Sequence, residues 1–159
     1  MSDSSKAGKK TAEKGLPSEV PLILDDKLMM VVRCTTEFEG WHHWPAAPVE
    51  YAYLRSSHRH MFKIEVKVEV KHAMRAIEFI HLKHLTEQAC LEMQVFSRDH
   101  NIPKPYSCEE IARIILTALY DLKELGKPNF LLVGVSEDGE NGSEVTYFNE
   151  GFGSLGRYL

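Results

Sequence analysis

His58 and His60 stand two apart in Ser57-His58-Arg59-His60-Met61-Phe62, and His42 and His43 adjoin each other in Gly40-Trp41-His42-His43. Directly after the second group runs Lys63-Ile64-Glu65-Val66-Lys67-Val68-Glu69-Val70, whose alternation of charged and apolar residues marks a strand. Side chains two apart on a strand point to one face. His58 and His60 therefore aim at a common point, and either His42 or His43 can close a triangle from a neighbouring strand. Three neutral imidazoles with a fourth position open is the arrangement a catalytic zinc needs. An H-x-H pair taken alone is weak evidence, because most such pairs are solvated surface residues.

The elements that must position these residues follow from patterning on either side. Residues 1–18 are polar and of low complexity, a tail unable to bury enough surface to order itself, and 19–159 form one domain. A first strand is expected from Lys27 to Phe38, then an irregular connection from Trp41 to Ser57 holding Pro45 and Pro48. The strand His60 to Val70 turns Ile64, Val66, Val68 and Val70 inward and its charged residues to water. A helix over Ile77 to Phe96 carries Ile77, Ile80, His84, Leu91 and Val95 near helical spacing, and the run Asp99 to Pro105 breaks it. Ser107 with Glu110 three residues on forms a capping box. It opens a second helix with Ile111, Ile114, Ile115, Ala118, Leu119 and Leu122 on one stripe, ending near Leu125 before Gly126 and Pro128. Phe130 to Val135 and Ser143 to Phe148 pair across the Asp138-to-Gly142 turn. The order β-β-α-α-β-β is that of an α+β domain with helices on one face of an antiparallel sheet.

Composition narrows the function classes. The 159 residues are 43% hydrophobic and 26% charged with a net charge of −4, which offers no nucleic-acid-binding surface. Nothing in the chain is long and apolar enough to span a membrane. The first fifteen residues lack the apolar core of a secretory signal. Cys34, Cys90 and Cys108 are odd in number and show no C-x-x-C spacing, which indicates reduced thiols and a cytoplasmic location.

In order and motif, the chain from Lys27 to Phe148 resembles the 6-pyruvoyl-tetrahydropterin synthase family, which includes the 6-carboxy-tetrahydropterin synthases. Phe38 and His42 match the family's Phe four residues before a His. His58-Arg59-His60-Met61-Phe62 matches H-G-H-x-Y/F with Arg in place of Gly. Ala76-Ile77-Glu78-Phe79 matches the hydrophobic-acidic-Phe start of the first helix, and Tyr106-Ser107-Cys108-Glu109-Glu110-Ile111-Ala112 a P-T-S/A-E-N-L/I-A helix start. Val133-Gly134-Val135-Ser136-Glu137 matches V-x-V-x-E. The resemblance implies a tunnelling fold whose subunits close a ring, a trimer or a hexamer, around a continuous β-barrel with active sites at subunit interfaces. It implies zinc on His42, His58 and His60, selecting His42 over His43, which strand alternation would send to the opposite face. It also implies a pterin or purine-like ligand held by Glu137, with Ser107 and Cys108 beside it.

Family members that eliminate triphosphate from dihydroneopterin triphosphate use a Cys shortly before the H-x-H as base, helped by an Asp-His pair after the first helix. Here Leu54 stands four residues before His58, and no Cys lies between Cys34 and Cys90. Glu50, the carboxylate of the connection, could substitute as base or be a solvated loop residue. Asp99-His100 supplies the Asp-His pair, although the residue could equally serve only to stop the helix. Arg59 could point outward or reach a substrate phosphate. Cys108 could be a reactive thiol of lowered pKa at a helix N-terminus or fill the small-residue position of its motif. Two functions are thus implied: a zinc-dependent lyase acting on dihydroneopterin triphosphate or a related pterin, or a divergent protein that binds zinc and a pterin or purine-like ligand without that reaction.

Overall fold

The computed structural model describes residues 29–72, 74–98 and 106–149, with the backbone alone over 92–98. The tail expected over 1–18, both ends of the 19–159 domain, and the Asp99-His100 pair lie outside these residues. Strands β1 (Met30–His42) and β2 (His58–Val70) are followed by helices α1 (Phe79–Arg98) and α2 (Cys108–Asp121) and by strands β3 (Phe130–Glu137) and β4 (Asn141–Phe148). The four strands form one antiparallel sheet in sequence order, β1-β2-β3-β4. The expected α+β order β-β-α-α-β-β is the one observed.

One face of this sheet is the core. Register places Cys34 opposite Val66, Phe38 opposite Phe62, and Ile64 and Val66 opposite Val135 and Val133. Ile64, Val66, Val68 and Val133 are all buried, and the odd-numbered residues of β2 face away. Helix α2 covers this face with Ile111, Ala112, Ile115, Leu116 and Leu119. The expected stripe is therefore partly displaced, since Ala118 is exposed and Ile114 only half-buried. The Ser107 hydroxyl accepts the Glu110 N–H as the capping box requires, and the helix ends at Asp121, a short 3-10 turn (Lys123–Leu125) and left-handed Gly126 following.

Helix α1 is turned differently from its pattern. Its buried side is Leu82, Leu85, Thr86 and Cys90, whereas Ile80, His84 and Leu91 face outward. The reason is chemical: the Thr86 hydroxyl donates to the Leu82 carbonyl (2.9 Å) and lies 3.4 Å from the Cys34 thiol, so a polar residue is satisfied inside the core. The helix starts at Phe79, two residues later than expected, because the Glu78 carboxylate accepts the Ile80 (2.6 Å) and His81 (3.3 Å) N–H groups.

Strand β1 begins three residues later than expected and runs four residues further, through Gly40 and Trp41, because β2 supplies a partner as far as His58. The connection between them contains a 3-10 helix (Val49–Arg55) and is closed by Trp44 N–H to Leu54 carbonyl (2.7 Å) and Arg55 Nε–H to Ala47 carbonyl (2.7 Å). At the other end, the β3–β4 turn uses left-handed Asp138 (φ 55) and Gly139 (φ 80).

Two stability effects follow from this packing. A Cβ on Gly142 would collide with the Val135 carbonyl oxygen and lie 2.7 Å from Ser136 Cα, both backbone atoms of β3. Gly142→Ala should therefore cost about 3 kcal/mol in urea unfolding; a cost near zero would mean that β4 sits further from β3. Burial pushes the Cys90 thiol from the ordinary 9.0 up to about 12. The unfolded chain releases this proton first, so the associated stability is intact below pH 9.0 and is lost as the pH rises towards about 12. Cys90→Ala should flatten the fall in unfolding free energy across that range, and an unchanged slope would contradict the assignment.

Candidate metal centre

The strand register brings the histidines together. His42 is the last residue of β1 and pairs directly with His58, the first of β2, while Gly40 lies opposite His60. All three rings stand on the core-side face, with centroids 4.6 Å apart for His42–His58 and 5.1 Å for each of the other pairs. Phe62, the next residue on that face, packs edge-on against His42 at 5.3 Å and forms the apolar floor. One nitrogen from each histidine lies within 4.8 Å of the others, a separation suited to a single cation.

Hydrogen bonding determines which nitrogen each ring turns inward. His42 Nδ1 donates to the Tyr106 carbonyl (2.9 Å), His58 Nδ1 to the Ser56 carbonyl (2.7 Å) and His60 Nδ1 to the Asp138 carboxylate (2.6 Å). Each of these oxygens can only accept, so Nδ1 carries the proton and Nε2 of a neutral ring is a bare lone pair.

Glu137, last residue of β3, meets this cluster through register with Phe62. Its Oε1 lies 3.3 Å from His42 Nε2 and its Oε2 3.7 Å from His60 Nε2. His42 is buried, and desolvation holds its pKa below the ordinary imidazole value despite the Tyr106 carbonyl and Glu137. The ring is therefore neutral at neutral pH, the Glu137 contact is not an ion pair, and His42 Nε2 is buried without a hydrogen-bond partner. A lone pair facing a carboxylate is repulsive; a cation between them reverses the sign. The donor set and this orphaned nitrogen fit a divalent metal ion.

Beside the cluster lies a cavity of about 460 Å³ lined by His42, His58, Glu137, Tyr106, Ser107 and Cys108. Leu54, four residues before His58, reaches it too. The Cys108 S–H is directed at Glu137 Oε1 (3.7 Å), and burial together with that carboxylate pushes its thiol up to about 12. This corrects the expectation of a lowered pKa: the neighbouring anion and desolvation outweigh the helix terminus. Glu50 is exposed on the 3-10 helix and is not among the residues lining the cavity in the single chain. Arg59 faces away from the site and pairs with Glu39 at 2.9 Å. His43 also departs from expectation. Strand pairing stops at His42, alternation no longer holds, and His43 lines the same cavity with Nδ1 buried and unpartnered. Asp138 and the Tyr106 carbonyl were not visible as site groups. Asp138 follows Glu137 directly, but its contact with His60 spans 78 residues of sequence.

Together the sheet, its helices and the site define an α+β protein of the tunnelling fold, the fold of the 6-pyruvoyl tetrahydropterin synthases, with a three-histidine cluster that could hold a metal. Solved structures with this fold include the 6-pyruvoyl tetrahydropterin synthase of Plasmodium falciparum, at a TM-score of 0.57, and that of Plasmodium vivax, at 0.55; each is 17% identical and covers 76% of this chain and 99% of the other. A further Plasmodium vivax structure, at a TM-score of 0.56 and 17% identity, carries a glutamate-to-cysteine substitution described as affecting a catalytic residue. At this identity the likeness is one of fold. No protein-family model and no curated protein sequence matches the chain. Among the described residues no helix is long and apolar enough to cross a membrane.

Proposed function

We propose that this chain is a zinc-dependent protein of the 6-pyruvoyl/6-carboxy-tetrahydropterin synthase type, acting on dihydroneopterin triphosphate or a related pterin by proton abstraction and triphosphate elimination. The observation that carries the reading is the buried His42 Nε2, a lone pair with no hydrogen-bond donor that converges with His58 and His60 on one point. His42, His58 and His60 would hold zinc, which when bound supplies a Lewis acid for a substrate oxygen and so eases loss of the proton on the adjacent carbon. Glu137 offers two acceptor oxygens to the paired N–H edge of an amino-pyrimidine. Ser107 and Cys108 border that pocket at the start of α2.

Proton removal needs a base, and Leu54 occupies the position of the family's cysteine. In the Plasmodium vivax protein a glutamate is described as catalytic, which supports a carboxylate in that role. Glu50 would serve if a ring of subunits, a trimer or hexamer, carries it to a neighbouring cavity. Asp99-His100 would shuttle the proton, and among the described residues lining the cavity His43 is an imidazole outside the metal cluster. A second reading, binding of a pterin or purine-like ligand without the lyase reaction, is favoured by the un-ionised Cys108 and by Glu50 standing outside the cavity.

Purified protein loaded with zinc and incubated with dihydroneopterin triphosphate should release triphosphate, and release should disappear in His58→Ala. Absence of release with zinc and pterin both bound selects the second reading. Absence of zinc overturns both.

A further inference from the structure

We propose that Asp138 is a positioning residue that holds the His60 ring with Nδ1 protonated and Nε2 bare, and so sets how tightly the three-histidine cluster takes a divalent cation; this rests on the metal reading above. Its carboxylate is clamped rather than free. Oδ2 accepts His60 Nδ1–H at 2.6 Å, Oδ1 accepts the Met61 N–H at 2.9 Å, and the Asp138 N–H donates back to the Met61 carbonyl at 2.9 Å. Three bonds thus tie the β3–β4 turn to the two residues of β2 that it faces.

The three anchors are unequal. His42 and His58 donate to backbone carbonyls, and His60 alone donates to an anion. A carboxylate behind an imidazole makes its far nitrogen a stronger donor and fixes ring orientation, an effect worth roughly 10–100-fold in metal affinity elsewhere. The backbone supports a role beyond the turn itself. Asp138 sits at φ 55, where Gly is the least strained residue and Asn is well tolerated. A turn needing only that conformation would be served at least as well by either.

This separates the charge from the fold in a test. Two donors, Met61 N–H and His60 Nδ1–H, point at Asp138. Asn offers one acceptor and one donor, so Asp138→Asn either loses the Met61 bond or turns its NH₂ towards Nδ1. The latter moves the His60 proton to Nε2, where a cation would have to bind. Asp138→Gly removes the anchor and relaxes the turn.

The experiment uses the full-length chain, metal-free and ¹⁵N-labelled, at mildly alkaline pH, with the His60 ring read by nitrogen chemical shifts. Zinc affinity is then measured by competition with a chromogenic chelator. Wild type should show the Nδ1–H form; Asp138→Gly should lose it, and so should Asp138→Asn where its NH₂ replaces the acceptor at Nδ1. Zinc affinity should fall roughly 10-fold or more in a chain that still folds, while Asp121→Asn, at an exposed site paired with Lys127, changes neither the tautomer nor the affinity. An unshifted His60 tautomer with unchanged zinc affinity in both variants overturns the proposal. A wild-type chain that takes no zinc, with the tautomer still shifting in the Asn variant, overturns the metal reading and upholds Asp138 as the group that orients His60.

Discussion

His58→Ala should lose stoichiometric zinc while the apo-protein folds almost as the wild type does. The two halves of that result come from different contacts. Removing one of three imidazoles leaves two ligands, and affinity should fall well beyond the roughly 100-fold limit of changes outside the ligand set. The cost to the metal-free fold is small because the partner of His58 Nδ1, the Ser56 carbonyl, is exposed and water replaces the lost bond. A change within about 0.5 kcal/mol in urea, measured in chelator, is expected. His42→Ala should behave differently. It also loses the metal, but it strips the partly buried Tyr106 carbonyl of its donor and opens space above Phe62, which should cost about 1–3 kcal/mol of apo stability. Metal analysis with chemical unfolding distinguishes the two variants. Tight, stoichiometric zinc in His58→Ala would remove that residue from the ligand set and with it the cation reading of the cluster.

What could be read from residue order was what depends on short-range periodicity. The alternation of β2 placed His58, His60 and the Val66 layer on one face, and the Ser107–Glu110 box marked the start of α2. The choice of His42 over His43 and the arrival of Glu137 at the H-x-H came through the family resemblance, since no local pattern joins residues so far apart. The errors have physical causes of the same kind. The first strand reads as ending at Phe38 with Trp41 opening the connection, but pairing of Gly40 with His60 and of Trp41 with Arg59 holds both residues extended. Ile80 and Leu91 read as the buried side of α1, yet Thr86 and Cys90 are inside because Thr86 satisfies its hydroxyl on its own helix and Cys90 is small. Of the two readings of Cys108, an activated thiol or a small-residue filler, the first fails because burial and the Glu137 carboxylate, which arrives from another element, raise its pKa. Asp138 was hidden in the same way: a turn residue by composition becomes a histidine partner only once β3 is laid beside β2.

Glu137→Gln carries the other large expected effect and tests what the carboxylate is for. The substitution preserves shape and the contact with Cys108, and it removes the charge. If the carboxylate accepts a paired N–H edge of the ligand, the amide supplies one acceptor and turns a second donor at the ligand's own N–H. Loss of a charge-assisted bond of this kind is worth about 1.5–3 kcal/mol, so neopterin binding should weaken roughly 10–150-fold by fluorescence titration. Zinc content is the second reading of the same sample. Oε1 lies 3.3 Å from His42 Nε2, a spacing that would also suit two ligands of one ion. An anchor for the pterin leaves the three histidines to hold zinc in Glu137→Gln, whereas a fourth ligand would take much of the metal affinity with it. Weakened pterin binding at full zinc occupancy therefore assigns Glu137 to the organic ligand. Loss of zinc in parallel assigns it to the metal, and the open coordination position on which the lyase reading depends would then be closed.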